Sequence, residues 1–473
     1  MHLLNLDDFE RRALPTLLEY ATIPCLSPSF DETWEESGHL NRAADLLASW
    51  TSETVPSATV HVHRLDGRTP LLTATIEATA PSEGTVVIYG HLDKQPPLGD
   101  WSDGLDPFRP VRRGDCVYAR GIADDGYSTF SAALAVASLV EADVAHPRIV
   151  IVIEASEESG SEDLEAYLDY LVDELGDVQL LICLDSGALS YDRLWVTTSL
   201  RGLVNAELTV SVLERGLHSG SASGAVPSSF RVLRELLERI EDATIGDVRL
   251  APLHASIPPE VRGAAQAIAE EFGDVVADEM PILDGVQLMG DTPAERILRT
   301  TWYPALSVIG LGGAPAPAIA GNVLRPYTSA VLSMRLPPPV DPDVAFAALD
   351  EVLVTNPPSG AHVSLRATNT AQGWVAPPLA PWLSAALDRT SREQFGAPVG
   401  FTGEGGSIPF LASLGRRYPG VQFVATGTLG PDSNAHGIDE MLHLPTALRV
   451  TNAVATLLEA FTHRTEEPHE PAR

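Results

Sequence analysis

Short apolar runs in this chain stop, one after another, on an acid or a histidine. Thr85–Tyr89 runs into Gly90-His91-Leu92-Asp93, and Arg148–Glu154 into Ser156-Glu157-Glu158-Ser159-Gly160. Gln179–Leu184 ends on Asp185, and Val421–Ala425 leads to Asp432-Ser433-Asn434-Ala435-His436. Runs that are apolar at successive positions, rather than alternate ones, fit strands covered on both faces. Segments with helical spacing lie between them: Arg42–Trp50, Tyr127–Glu141 and Ser161–Leu175. The expected fold class is therefore α/β, a mixed sheet clothed by helices. In open sheets of this kind the carboxyl ends of the strands line one rim, where ligands bind.

After Arg201 the texture changes. Ala206–Leu213, Tyr327–Leu336 and His362–Ala367 alternate polar and apolar residues, the pattern of strands with one wet face. Ser228–Ile240 and Pro342–Leu353 read as helices, and Ile257–Asn322, rich in Pro, Gly and Ala, as long connections with some helix. The α/β texture then resumes with a helix from Trp382 to about Phe395. A chain of 473 residues exceeds what one core usually supports. The expected organisation is an α/β domain in two parts, 1–200 and 372–473, holding an inserted α+β module, 201–371. No internal repeat is evident.

Charge and cysteine content narrow the function. The formal net charge of −33 argues against nucleic acid and acidic membranes as partners. Three cysteines, Cys25, Cys116 and Cys183, form no Cys-x-x-Cys pair, which argues against both a sulfur metal site and a disulfide scaffold. Met1–Tyr20 carries acids throughout and does not read as a signal peptide. Phe130–Val140, the longest apolar stretch, is too short to span a bilayer. A cytoplasmic protein is expected.

Asp124-Asp125 adds a fifth acidic loop, just before a helix. Any one of these loops alone is ordinary; five converging on one rim are hard to explain as solvated surface. Two histidines and three carboxylates can hold two divalent cations if one carboxylate bridges them. Imidazole and carboxylate donors without thiolate suit zinc, with manganese or cobalt as alternatives. Asp93, two residues from His91 in an extended segment, faces the same way and can contact the remaining ring nitrogen. His61 and His63 alternate on a polar strand and read as exposed, and Gly310-Leu311-Gly312-Gly313 lacks the Lys-Ser/Thr of a phosphate loop.

The loops, taken in order, resemble a known family. Gly90-His91-Leu92-Asp93, Arg120-Gly121-x-x-Asp124-Asp125, Glu157-Glu158-Ser159-Gly160-Ser161, Leu184-Asp185, Leu200-Arg201-Gly202, His218-Ser219-Gly220, Gly405-Gly406-Ser407-Ile408-Pro409 and His436 resemble the M20 metallopeptidases. The carnosinase and non-specific dipeptidase branch is the nearest in pattern, and the resemblance runs from about Tyr89 to about His443. It implies that His91 and Asp185 bind one metal, Glu158 and His436 the other, and that Asp124 bridges them beside a cis peptide to Asp125. It also implies Glu157 as general base. Two cations ~3.5–4 Å apart can share a water and lower its pKa toward 7, which a neighbouring carboxylate can exploit. Within the inserted domain the resemblance makes His218 the histidine that reaches a partner subunit's active site to stabilise the oxyanion. It makes Arg335 the group that grips the substrate carboxylate. Asn322 and Ser407 are further candidates for substrate contact.

Two departures bear on specificity. Asp125 is followed by Gly126-Tyr127 where many relatives have Lys-Gly, and Leu324-Arg325-Pro326 stands where Val-Ile-Pro is common. The expected activity is hydrolysis of an amide bond in a small substrate with a free carboxylate. A dipeptide fits first and an N-acyl amino acid second, with a homodimer formed through the inserted domain. An inactive binding homologue is disfavoured by the intact Asp93 and Glu157, and a phosphoesterase by the scarcity of cationic clamps in the inserted domain.

Overall fold

The computed structural model describes residues 3–80, 84–406 and 408–464. In chain order its principal strands are β1 (Thr59–His63), β2 (Leu71–Ile76), β3 (Thr85–His91), β4 (Arg148–Glu154), β5 (Val178–Cys183), β6 (Trp195–Leu200), β7 (Gly202–Ser211), β8 (Ala305–Gly312), β9 (Tyr327–Leu336), β10 (His362–Ala371) and β11 (Gln422–Ala425). The principal helices are α1 (Leu6–Ala21), α2 (His39–Thr54), α3 (Tyr127–Glu141), α4 (Ser229–Ile240), α5 (Pro342–Val354), α6 (Pro381–Gln394) and α7 (Leu444–Thr462). Two compact units result: Met1–Thr198 with Ala376–Thr402 and Ile408–Arg473, and Ser199–Val375 with Gly403–Ser407. The return to the first unit thus begins near Ala376 rather than 372, and the Gly405-Gly406 segment falls in the second unit rather than in the first.

The first unit is built on the sheet order β1-β2-β4-β3-β5-β11-β6. Its centre is parallel: β3 pairs in parallel with β4 and β5, and β5 with β11. β1, β2 and β6 join antiparallel at the flanks, so the sheet is mixed. Every residue of β3 is buried, as are all but the first of β4. Each fully buried Val or Ile stabilises by ~1.5–3 kcal/mol as an upper bound, so the branched runs fix both the sheet and its register. α3 is alanine- and leucine-rich, and all but its last two residues are buried. Gly90 is obligatory near the end of β3, since a Cβ there would lie 2.6 Å from Asp125 Oδ2 and press on the Ser128 hydroxyl.

The second unit contains a four-stranded antiparallel sheet in the order β8-β9-β7-β10. β9 and the inner half of β7 alternate buried and partly exposed residues, with Val204, Leu208, Val210, Ala330, Leu332 and Met334 packed on α4 and α5. α5 starts as its sequence directs: Pro342 occupies the first turn, and the Asp341 carboxylate accepts from the amides of Asp343 and Val344.

Two elements depart from the sequence reading. The single helix expected over Ser161–Leu175 is two short ones, Leu164–Tyr170 and Val172–Leu175. Ser161 cannot open a helix because its φ is +55° and its hydroxyl donates to Glu154 Oε1 at 2.9 Å. The connections expected over Ile257–Asn322 include a full strand, β8, besides the helices Pro259–Phe272 and Pro293–Thr301. A register shift between Val308 and Gly310 interrupts the two-residue period that would have revealed that strand. Among the described residues, no helix is long and apolar enough to cross a membrane.

Candidate metal centre

The carboxyl ends of β3, β4 and β5 and the segment after β11 bring their acids and histidines together. His91 is the last residue of β3 and is fully buried, so its ring is aimed rather than free. Its Nε2 lies 3.3 Å from Asp124 Oδ1 and 3.8 Å from Asp185 Oδ2. The other oxygen of Asp124 faces a different ring: Oδ2 is 3.0 Å from His436 Nε2, which is also 3.1 Å from Glu158 Oε2. One carboxylate thus spans two imidazole-and-acid clusters. Ligand-capable atoms of His91, Glu157 and Asp185 lie within 4.8 Å of one another, as do those of His91, Asp124 and Glu158. The Asp124–Asp125 peptide is cis, as the resemblance implies.

The electrostatics call for positive charge. Burial works against charge on every group here. Even so, hydrogen bonds from His436 and His91 hold the Asp124 carboxyl well below the usual carboxylate range. His436 is about half exposed, at 54%; what burial it has would lower it, but hydrogen bonds to Asp124 and Glu158 overcome this and push it up to about 11. His91 is likewise raised by Asp124 and Asp93 against its burial. Burial and the neighbouring Asp185 raise the Glu157 carboxyl, and burial and Asp124 raise Glu158. Glu158 Oε1 is buried without a hydrogen-bond partner. An orphaned carboxylate oxygen among imidazoles and acids is a donor set that fits divalent cations.

Asp93 does more than the sequence reading assigns it. His91 Nδ1 lies 3.1 Å from the Asp93 backbone carbonyl and 3.4 Å from its Oδ1. The Asp93 carboxylate is completed by the amides of Glu157 and Glu158, at 3.2 and 3.0 Å. It therefore orients the turn carrying both glutamates as well as the ring. His61 is exposed, whereas His63 is half-buried rather than exposed, with Nε2 2.8 Å from the Thr73 hydroxyl.

Three supporting contacts go beyond the sequence reading, which named Asp125 but not its partner. Gln95 Nε2 donates to Glu158 Oε2 at 2.7 Å, Asp125 Oδ2 accepts from the His91 amide at 3.1 Å, and Glu440 accepts from the loop bearing Asp124. Glu440 carried a faint signal, an acid within Ile438-Asp439-Glu440-Met441-Leu442 four residues after His436. The loop holding His436 turns through left-handed positions: Asp432, Asn434, His436 and Asp439 all have φ between +52° and +63°, a region that Asp, Asn and His adopt more readily than other non-glycine residues.

The remaining candidates belong to the second unit. His218 is exposed and pairs with Val323 in a two-residue ladder, and the Ser219 amide donates to the Asn322 carbonyl at 2.9 Å. His218 and Asn322 are therefore neighbours. Arg335 is half-buried on β9, and burial lowers its pKa. Ser407 lies outside the described residues.

Comparison with known proteins agrees with this architecture. Residues 87–460 match the profile of peptidase family M20/M25/M40. A cysteinylglycine-S-conjugate dipeptidase of Corynebacterium striatum is 28% identical over 367 residues, covering 75% of this chain and 76% of the relative. A β-Ala-His dipeptidase of Mus musculus is 25% identical over 355 residues, covering 72% and 69%. Among solved structures, the dipeptidase Dug1p of Saccharomyces cerevisiae superposes with a TM-score of 0.76 at 21% identity, covering 98% of each chain. Human carnosine dipeptidase 1 superposes with a TM-score of 0.75 at 21% identity, covering 97% of each. The profile match runs through most of the sequence and includes every loop that converges on the rim, and the chain belongs to peptidase family M20/M25/M40.

Proposed function

We propose that this chain is a divalent-metal-dependent dipeptidase, hydrolysing the peptide bond of a small substrate that carries a free carboxylate. The observation that carries the reading is Asp124, whose two oxygens face His91 and His436 separately. His91 and Asp185 would hold one cation, Glu158 and His436 a second, with Asp124 shared. Zinc suits the imidazole and carboxylate set, and manganese or cobalt would be accepted. When bound, such ions act as Lewis acids and lower the pKa of water.

The protein's own groups do the rest. Glu157 takes a proton from the attacking water as its oxygen adds to the peptide carbonyl carbon. The same carboxyl returns that proton to the leaving nitrogen as the C–N bond breaks. Asp93 keeps Glu157 and Glu158 oriented through their amides. His218, supplied by a second copy, donates to the developing oxyanion. Arg335 offers a planar fork to the substrate carboxylate, with Asn322 and Ser407 as lesser contacts. The homodimer forms through the inserted domain, whose edge strand β8 leaves Ile309 and Leu311 62% and 67% exposed. A cytoplasmic location fits the three free cysteines. Relatives named as Cys-Gly and β-Ala-His dipeptidases support the dipeptide class.

The test is a hydrolysis screen of dipeptides and N-acyl amino acids with zinc, manganese and cobalt supplied in turn. Cleavage of dipeptides with a free amino terminus is expected. Turnover confined to acylated substrates would replace the reading with that of an amino-acid deacylase. Turnover of neither class with any ion would remove the peptidase reading.

A further inference from the structure

Beyond the residues that would touch cations or substrate, the acid four positions after His436 stands out. Glu440 is fully buried, and its carboxylate is saturated with donors. Oε2 accepts from the Gly121 amide at 2.8 Å and from Arg120 Nη1 at 2.8 Å. Oε1 accepts from the amides of Ala123 and Asp124, at 3.0 and 3.2 Å. Three amides between Gly121 and Asp124 therefore end on one side chain. The Glu440 carbonyl accepts from the Ala119 amide at 3.1 Å, so the backbone is stitched to the same loop.

The other end of the device is the His436 loop. Arg120 Nη2 donates to the Gly437 carbonyl, next to His436, and the Met441 amide donates to the Ser433 carbonyl at 2.9 Å. Asp439 is tied down by the Ser102 amide at 2.9 Å and by the Ser102 hydroxyl. Four residues of this loop, Asp432, Asn434, His436 and Asp439, are left-handed, and these contacts hold that turn in one shape. Asp124 and His436 are more than 300 residues apart, yet Asp124 Oδ2 must meet His436 Nε2 within 3.0 Å. Glu440 and Arg120 are the side chains that join the two backbones.

From this we infer that Glu440 is a positioning residue: its carboxylate, with Arg120, locks the loop bearing Asp124 to the loop bearing His436 and so sets the spacing of the shared cation pair. The inference rests on the two-cation reading above. It adds that the pair depends on an acid that touches neither ion nor substrate. An uncharged side chain of the same shape cannot accept from four donors, because the amide of a glutamine would turn an N–H toward one pair of them.

The experiment compares full-length wild type with Glu440→Gln and Glu440→Asp, each stripped by chelator and titrated with cobalt(II). Calorimetry gives stoichiometry and affinity, the cobalt absorption spectrum gives ligand geometry, and circular dichroism confirms the fold. Wild type is expected to take two ions. Glu440→Gln is expected to bind at least one of them ~10–100-fold more weakly with an altered spectrum, the usual cost of losing support behind a ligand. Glu440→Asp, which keeps the charge but reaches fewer donors, should fall between; it decides the matter should the glutamine variant not fold. Folded variants with wild-type affinity and spectrum would overturn the inference, even if their melting temperatures dropped, since a purely structural role moves only the latter. Wild type that binds no cobalt would first remove the two-cation reading, and the inference with it.

Discussion

The two units of this protein treat the same side chains in opposite ways. In the first, His91 sits at the end of a strand buried on both faces, with carboxylates on each side of its ring and no solvent exposure. In the second, His218 ends a two-residue strand and is exposed. The acids follow suit: Asp124, Asp185 and Glu158 are held among imidazoles, whereas Glu207 pairs with Arg366 on the wet face of β7. The difference lies in the sheets. Parallel strands covered by helices deliver their polar ends to one rim, where His91, Asp124 and Asp185 are buried and His436 stays about half exposed, whereas an antiparallel sheet with one wet face leaves polar groups in water. The first arrangement fixes charge in place, and the second leaves it free to adapt.

The largest effect should come from removing positive charge from the rim of the first unit. Chelation is expected to abolish turnover and lower the melting temperature, because buried acids lose their counter-ions. Restoring the ion at 100 times its dissociation constant should return about 2.7 kcal/mol of stability per site. Asp124→Ala should copy the chelated state at any ion concentration. Unchanged melting temperature and activity after complete metal removal, checked by elemental analysis, would break the contrast between the units.

Next comes the base. Glu157→Ala should lower kcat by ~10²–10⁴-fold, the usual contribution of general base catalysis, while leaving metal content intact. Loss of metal with partial activity would instead make Glu157 a ligand.

On the wet side the effect should be smaller and fall on binding. Losing charged hydrogen bonds worth ~1.5–3 kcal/mol, Arg335→Ala should cost ~10–100-fold in kcat/KM for substrates with a free carboxylate. Amidated substrates should be indifferent to the change. Equal losses on both would remove Arg335 from carboxylate recognition.

The smallest effect sharpens the picture of the rim. Burial raises the Glu154 carboxyl from 4.5 to about 7, against hydrogen bonds from Tyr89 and Ser161. The folded protein thus holds a proton that the unfolded chain releases. The sign follows: this stability is complete below about pH 4.5 and is lost as pH rises toward 7. Glu154→Gln should flatten that loss, on the order of 1–3 kcal/mol, in denaturation curves of the metal-free enzyme at pH 5 and 8. An identical slope in the variant would assign the titration elsewhere.

Much of this was legible in the sequence. Uninterrupted branched runs announced β3, β4 and β5, and Tyr127–Glu141 announced α3. The residues following those runs announced the acids of the rim, because a strand's end is fixed by where its apolar run stops. β8 was hidden because its bulge resets the alternation, and the Ser161–Leu175 helix is shortened because Ser161 serves Glu154 instead of a helix start.

What the sequence determined by itself was thus local: the period of each run, the residue on which it ends, and the order of the motifs. What only the tertiary structure decided was convergence: which oxygen of Asp124 meets which histidine, that Asp93 supports a turn more than 60 positions away, and that Glu440 ties two distant loops. The physical reason is range. Periodicity follows from the geometry of neighbouring residues, whereas a buried acid finds its donors through packing, between positions whose separation along the chain carries no information about their distance in space.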